Sequence, residues 1–281
     1  MTTIKALSYV RVTGADLDAW DQYATEVLAL APIRDGQRLT LRLDERNYRF
    51  DIRADGAAET VMGWDVATKA DLETLATALD KAGISFTVGG ADTLADRDVL
   101  AQIAFSDPYG LKHEAVVGAR LGLRPVHFSR KLSNYTTGDL GLGHFAVGVP
   151  DLEAATEFYS TVLGFRLTDA MPGLFSFMRV NPRHHSIALM QYDTAEIHHM
   201  LLQVDELEDV GRAYDAATAN GSLRKSLGQH TNDGLVSFYT ETPAGWEVEL
   251  GTGGMQIDDA TWVVRQVGRP FSAWGHKALS S

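Results

Sequence analysis

Alternating apolar and polar side chains predict short strands grouped around single amphipathic helices. In the clearest unit, from Gly143 to Gln191, the stretch His144–Val149 alternates as a strand does. Pro150 and Asp151 then open a helix with one apolar stripe, which Gly164 ends. Short strands are predicted at Phe165–Thr168, Phe175–Val180 and Ser186–Gln191. The unit therefore has the order β, α, β, β, β.

A second unit of the same order runs from Ile197 to Gly251. We predict a strand over Ile197–Val204 and a helix over Leu207–Asn220, followed by strands at Leu223–Leu227, Leu235–Thr240 and Trp246–Leu250. Matching helices are predicted in the first half, at Asp16–Leu28 and Lys69–Ala82. Strand-rich units with one helix each predict an α+β fold with curved, mostly antiparallel sheets.

The chain repeats itself at a constant offset. Asp16-Leu17 matches Asp151-Leu152, and Asp107-Pro-Tyr-Gly matches Thr242-Pro-Ala-Gly, in both cases about 135 residues apart. We therefore predict two tandem domains, each of two βαβββ units. The predicted ranges are 1–118 for a non-catalytic repeat domain, 119–137 for a linker, 138–255 for a catalytic domain and 256–281 for a tail.

Composition narrows the function classes. The 281 residues are 45% hydrophobic and 22% charged, with a net charge of −12, so nucleic acid and anionic membranes are poor partners. Cysteine is absent, so a metal would have to be bound by His, Asp or Glu. The first residues do not resemble a signal peptide, and no apolar stretch reaches the ~18 residues that span a bilayer. We expect a soluble cytoplasmic protein.

Histidines and carboxylates on related strands predict a metal site. His144 lies on the first strand of its unit, His199 on the corresponding strand of the next, and Glu249 on the last strand. Because strand side chains alternate, only one of His198 and His199 should face the concave side, and we expect His198 to point outward or to lie behind the ligands. Two imidazoles and a carboxylate on one face are typical of non-haem Fe(II).

Five motifs carry a family resemblance that covers nearly the whole chain. They are GLGHFAVGVPDLEAATEFYSTVLGF, NPRHHSIALM, IHHMLLQVDELEDVG, LGQHTNDGLVSFYTETPAGWEVELG and SAWGHK. The chain resembles the type I extradiol dioxygenases of the vicinal oxygen chelate superfamily, the group that contains 2,3-dihydroxybiphenyl 1,2-dioxygenase. The resemblance implies the glyoxalase/bleomycin resistance fold, a catechol substrate cleaved with O₂, and often a homo-oligomer. It also implies metal ligation by His144, His199 and Glu249, which would accept Fe(II) or Mn(II).

The repeat tests that ligand set. Shifting the three ligands back by one repeat gives Tyr9, Trp64 and Glu114, and two of these cannot bind a metal. The first half is therefore predicted to be structural.

Further roles follow from the resemblance. His185 resembles the catalytic acid–base histidine, and His230, Asp233 and Tyr239 resemble residues that surround the reacting groups. Asp233 also fits a plain turn, since it lies in Asn-Asp-Gly. Ala146, Phe175, Phe177 and Asn232 are the predicted substrate-binding residues, chosen by their position in the sequence and not from the resemblance. We assign no role to His113, His127 or His184 and leave that of His276 open.

The substrate is predicted to be 2,3-dihydroxybiphenyl or another 3-substituted or bicyclic catechol, opened to a semialdehyde acid. Simple and steroid catechols stay open, because the segment from Leu167 to Arg183 is short. One rival is a metal-dependent glyoxalase or resistance enzyme on the same fold. The other is a small-ligand-binding protein without catalysis. Oxygen uptake with a catechol separates the three.

Overall fold

Three of the five α-helices in the described part of the chain begin at a side chain that caps them. The computed structural model describes residues 4–279, in which the α-helices are Leu17–Glu26 (α1), Lys69–Lys81 (α2), Ala91–Arg97 (α3), Leu152–Thr161 (α4) and Leu207–Asn220 (α5). Asp16 accepts hydrogen bonds from the N–H groups of Asp18 and Ala19, and Asp151 accepts one from Ala154, so α1 and α4 start at equivalent positions. Helix α1 ends two residues before the predicted Leu28, and α3 was not predicted.

Replacing Asp151 by alanine tests this cap. The variant Asp151→Ala should lower the free energy of unfolding by about 1 kcal/mol, because the N–H of Ala154 loses its acceptor. Urea denaturation measures the change. Glu153→Ala, in the first turn of the same helix but not a cap, is the matched control. Equal losses in the two variants would contradict the capping role.

Two β-sheets hold the strands. The first sheet contains Ile4–Thr13 (β1), Ile33–Asp35 (β2), Arg38–Leu41 (β3), Phe50–Arg53 (β4), Glu59–Val66 (β5), Phe86–Val88 (β6), Ala101–Ser106 (β7) and Lys112–Val117 (β8). The second contains Phe145–Val149 (β9), Arg166–Met171 (β10), Phe175–Arg179 (β11), Ile187–Gln191 (β12), Glu196–Gln203 (β13), Leu223–His230 (β14), Val236–Glu241 (β15), Glu247–Thr252 (β16), Arg265–Gln266 (β17) and Ser272–Trp274 (β18). The predicted α+β fold is confirmed, and most predicted strand ends shift by one to three residues.

The centre of each sheet has the same strand order. The order is β4-β1-β5-β8 in the first sheet and β12-β9-β13-β16 in the second. In both, the middle pair is antiparallel and each outer pair is parallel. Most of the other pairings are antiparallel, as predicted. The duplication read from the sequence thus appears as two equivalent strand arrangements.

The tail belongs to the second sheet. Strand β17 pairs with β10 at one edge, and β18 pairs with β14 at the other. The tail therefore crosses the whole width of the sheet, which the sequence did not indicate.

One hydrophobic core connects the two sheets. Trp20 of α1 packs against Trp246, with ring centroids 6.0 Å apart, and Trp64 of β5 packs edge-on against Phe165. The buried Tyr159 hydroxyl donates to Asp107 at 3.0 Å. These contacts hold the two halves together. Within residues 4–279, no helix has the length and apolar character needed to cross a bilayer.

Candidate active site

The three predicted ligands come from adjacent central strands of the second sheet. His144 immediately precedes β9, His199 lies in β13 and Glu249 in β16. Gly143 has φ of +146°, and a Cβ there would lie 2.0 Å from the carbonyl oxygen of Leu201. Glycine therefore lets the backbone at His144 approach β13 closely.

The donor atoms of these residues form a nearly equilateral triangle. The Nε2 atoms of His144 and His199 are 3.3 Å apart, and they lie 3.5 and 3.4 Å from Oε2 of Glu249. A triangle of this size places one ion at metal–ligand distances of about 2.1 Å from all three donors. The donor set of two imidazoles and one carboxylate therefore fits a divalent transition metal with vacant coordination positions.

Neighbouring side chains orient the carboxylate. The other oxygen of Glu249, Oε1, accepts a hydrogen bond from the Ser237 hydroxyl at 2.6 Å and lies 3.0 Å from Nε2 of His230. Because Oε1 is occupied in this way, Oε2 is left to face the two histidines.

Burial and charge set the protonation states of the ligands. Burial alone would raise the pKa of Glu249, but the charge of His230 and hydrogen bonds from His144, His199 and His230 hold that pKa well below its usual range. Burial lowers the pKa of His144 to about 4 despite the opposing charge of Glu249. At neutral pH the site thus offers a carboxylate and a neutral imidazole, the forms that bind a metal.

A bulge corrects the prediction that only one of His198 and His199 faces the concave side. The pairing of β13 with β9 shifts register between Ile197 and His199. A bulge breaks the strict alternation of side chains. Both histidines consequently line the same cavity, and their Nδ1 atoms are 2.7 Å apart.

The four predicted catalytic residues surround the triangle. The ring of His185 lies 3.8 Å from that of His144, between centroids. Nε2 of His230 lies 2.8 Å from the Tyr239 hydroxyl. Asp233 accepts a hydrogen bond from the N–H of Leu235, as a turn residue does, and its other oxygen is 4.0 Å from Nδ1 of His185. The structure thus places all four beside the predicted ligands.

The pKa values of these side chains are shifted in different directions. Burial lowers the pKa of His185 well below its ordinary value, and His144 and His184 lower it further. Burial also lowers the pKa of His230, but Glu249 outweighs it and raises the pKa to about 9. Burial, followed by the charge of Glu249, raises the pKa of Tyr239 well above its usual range. At neutral pH His185 is therefore neutral, His230 is cationic and Tyr239 keeps its proton.

One cavity of about 240 Å³ opens on the triangle. The three ligands, the four catalytic candidates and the four predicted substrate-binding residues all line it. The wall away from the ligands is largely apolar and is formed by Ala146, Phe175, Phe177, Ala188, Met190 and Phe271. Phe175 and Phe177 stack with nearly parallel planes, and Phe271 meets Phe175 edge-on at 4.5 Å. The cavity thus joins a polar, metal-compatible end to an aromatic wall.

Two further histidines of this region had no role assigned from the sequence. His276, whose role was left open, stacks on His230 with centroids 4.3 Å apart and lies 3.1 Å from the Ser237 hydroxyl. The tail approaches so closely that a Cβ at Gly228 would lie 2.5 Å from the backbone nitrogen of His276. His184, to which we assigned no role, is buried against His185. The tail motif SAWGHK and the His184-His185 pair were the available signals.

The equivalent position in the first half has no comparable donor set. The Tyr9 hydroxyl donates to Glu114, which also accepts two hydrogen bonds from Arg97. Trp64 instead packs in the core and donates to Nδ1 of His113 at 3.0 Å. Among residues 4–279, every group of side chains with metal-binding spacing lies in the second half.

Two family descriptions match the chain. The Glyoxalase/Bleomycin resistance protein/Dioxygenase superfamily matches residues 141–250. The family described as dihydroxybiphenyl dioxygenase BphC D1 matches residues 7–54. The first match includes all three predicted ligands.

Full-length relatives agree with these matches. The chain is 37% identical to a biphenyl-2,3-diol 1,2-dioxygenase from Paraburkholderia xenovorans (strain LB400), over 99% of the chain and 96% of the relative. It is 36% identical to an iron-dependent extradiol dioxygenase from Rhodococcus jostii (strain RHA1), over 98% and 97% of the two chains. A crystal structure of BphC, a halotolerant catechol dioxygenase, superposes with a TM-score of 0.91 at 31% identity, covering 99% of this chain and 95% of the other.

Proposed function

Because the chain belongs to the type I extradiol dioxygenases of the vicinal oxygen chelate superfamily, and is an extradiol catechol dioxygenase, we propose that it cleaves a 3-substituted or bicyclic catechol such as 2,3-dihydroxybiphenyl to a ring-opened semialdehyde acid. The observation that carries this proposal is the triangle of donor atoms at the polar end of an aromatic-walled cavity.

The metal in this proposal is Fe(II), held by His144, His199 and Glu249. Two imidazoles and one carboxylate would leave coordination positions of the ion open, which supports iron, and one relative is named as iron-dependent. When bound, the ion would supply Lewis acidity to the catechol hydroxyls and the redox capacity that O₂ chemistry requires. The same three donors accept Mn(II), so metal analysis is part of the test.

His185 is the proposed acid–base residue. Its neutral ring lines the cavity beside His144, and its Nδ1 atom faces His184, which leaves Nε2 for the substrate. A neutral imidazole in this position accepts a proton from a diol hydroxyl and later returns it to an oxygen of the cleaving ring.

Tyr239 and His230 are proposed to bind the diol oxygens. Nε2 of the cationic His230 lies within hydrogen-bonding distance of both Glu249 and the Tyr239 oxygen, and the Tyr239 hydroxyl, which also hydrogen-bonds to Glu249, can rotate its hydrogen toward a ligand. Lys225 lies over the Tyr239 ring at 4.1 Å and restrains it further. Donors held in this way stabilise negative charge that develops on oxygen.

The aromatic wall supports a substrate with an aryl or fused-ring substituent. With the diol at the polar end, a group on the adjacent ring carbon would extend toward Phe175, Phe177 and Phe271. Aromatic rings pack favourably edge-on or offset against such walls. Ala146 leaves room beside the wall, and Asn232 lies at its polar border.

Oxygen uptake tests the proposed activity. Protein purified anaerobically and loaded with Fe(II) should consume one O₂ for each 2,3-dihydroxybiphenyl and form a yellow product, followed with an oxygen electrode and by absorbance. The iron-free protein should consume none. Absence of uptake with every catechol in a panel, despite bound iron, would favour a glyoxalase-type or non-catalytic binding protein.

Phe175→Ala tests the substrate class. We expect KM for 2,3-dihydroxybiphenyl to rise about 10-fold, because the loss of one aromatic contact costs about 1–2 kcal/mol. Turnover of unsubstituted catechol, which does not reach this wall, should change little and is the internal control. Equal losses for both substrates would mean that Phe175 does not contact the substituent.

A further inference from the structure

Behind His185 lies a chain of polar side chains, buried at His184 and Asp169, that the proposed reaction does not use. Nδ1 of His184 is 3.0 Å from Nδ1 of His185, and Nε2 of His184 is 3.0 Å from Oδ2 of Asp169. Arg265 donates to both oxygens of Asp169, from Nε at 2.9 Å and from Nη2 at 2.5 Å. We call Arg265, Asp169 and His184 the relay.

The relay is assembled from distant parts of the sequence, and its Asp169 and His184 are shielded from water, whereas the Arg265 side chain is 40% exposed. Asp169 lies on β10, His184 in the loop between β11 and β12, and Arg265 on tail strand β17. Asp169 is 0% exposed, His184 1% and His185 4%. Hydrogen bonds among such side chains are neither screened nor replaced by solvent, so their directions are fixed.

Counting hydrogens gives those directions. The two hydrogens of Arg265 Nη2 are directed to Asp169 at 2.5 Å and to the carbonyl oxygen of Asn232 at 2.7 Å. Nη2 of Arg265 therefore has no hydrogen left for Nε2 of His184, which lies farther away, at 3.4 Å. Burial raises the pKa of Asp169, but hydrogen bonds from His184 and Arg265 outweigh it and lower that pKa, so Asp169 is an ionised acceptor. The hydrogen between them must then belong to Nε2 of His184.

The position of the hydrogen on the His185 ring follows in the same way. The Nδ1 atoms of His184 and His185, 3.0 Å apart, share one hydrogen, and when Nδ1 of His184 supplies the lone pair, Nδ1 of His185 is the donor. The other polar neighbour of that atom, an Asp233 oxygen at 4.0 Å, also favours a hydrogen there. His185 then carries its single hydrogen on Nδ1 and presents a bare Nε2 to the cavity.

We propose that His184 and Asp169 are positioning residues that fix the orientation and tautomer of His185, so that its Nε2 begins the reaction as a proton acceptor. The inference rests on the proposed acid–base role of His185. In the first step the O–H bond of a catechol hydroxyl breaks and an N–H bond forms at Nε2. His185 keeps its hydrogen bond to His184 throughout, and the same proton later returns from Nε2 to an oxygen of the opened ring.

Asp169→Asn tests the relay with little change in shape. An amide can donate to Nε2 of His184, which removes the preference for the proposed tautomer. We expect kcat for 2,3-dihydroxybiphenyl to fall about 10–100-fold, as is typical when a partner behind a reacting group is altered, with KM within about twofold of the parent. Iron content and the thermal unfolding midpoint should stay near those of the parent protein.

The matched control is Asp259→Asn. Asp259 also pairs with arginines of the second half, Arg166 and Arg179, but it has no contact with His184. This variant should keep the parental kcat. A second pair of variants, His184→Ala and His184→Asn, should differ, because only the asparagine carbonyl can accept from Nδ1 of His185; His184→Asn should therefore retain several-fold more turnover.

The outcomes separate this inference from the proposed function. If His185→Ala keeps its turnover, the acid–base role fails and the relay fails with it. If His185→Ala loses turnover but Asp169→Asn does not, the relay alone is overturned. If Asp169→Asn loses iron and thermal stability in proportion to kcat, Asp169 is only structural and the inference is likewise overturned.

Discussion

His144→Ala is expected to lose both its metal and its turnover. The substitution removes one corner of a donor triangle whose sides are 3.3–3.5 Å, and no neighbouring group replaces Nε2. His185 is the nearest ring, but it does not belong to the donor group that contains His199 and Glu249. Metal affinity should fall by more than about 100-fold, since even residues that only support a ligand contribute 10–100-fold. Metal analysis of protein reconstituted with Fe(II) measures this loss.

Folding of the variant has to be checked separately. Because His144 is buried, its removal also leaves a cavity, so the thermal unfolding of metal-free parent and variant should be compared. His127→Ala, which removes an exposed histidine of the linker, is the control and should bind iron normally. Normal iron content in His144→Ala would remove this residue from the ligand set.

His185→Ala should keep its iron and lose most of its turnover. The ring lies beside the triangle but does not belong to it, so the donor atoms stay in place. General acid–base catalysis contributes about 10²–10⁴-fold, and kcat should fall by that factor. Single-turnover oxygen consumption by the iron-loaded variant measures the loss.

A second variant tests whether the loss of turnover in His185→Ala comes only from lost packing. His185→Gln keeps a polar side chain of similar length but cannot accept and return a proton, so it should lose as much turnover as His185→Ala. Restored activity in His185→Gln would indicate that the residue only fills space or donates one hydrogen bond. Iron loss in His185→Ala equal to that in His144→Ala would contradict the separate roles proposed here.

The sequence determined the repeat and the strands on which the predicted ligands lie. Periodicity located β9, β13 and β16 to within a few residues, because alternation is a local property of a half-buried strand. The offset of about 135 residues predicted that the first half is structural, and there the Tyr9 hydroxyl donates a hydrogen bond to Glu114. Helix starts at Asp16 and Asp151 were also local signals, since a cap lies beside the N–H groups that it satisfies.

Only the tertiary structure decided that His198 and His276 also line the cavity. The bulge near Ile197 places both His198 and His199 on its wall, and a pattern that assumes strict alternation cannot show this. Asp169 hydrogen-bonds to Arg265, which lies 96 residues later in the sequence, and Ser237 hydrogen-bonds to His276, which lies 39 residues later. Such contacts depend on how the tail crosses the sheet. A residue type and its near neighbours carry no information about that path. His184 therefore had no predicted role and the role of His276 was open, whereas the folded chain places both beside the predicted reacting groups.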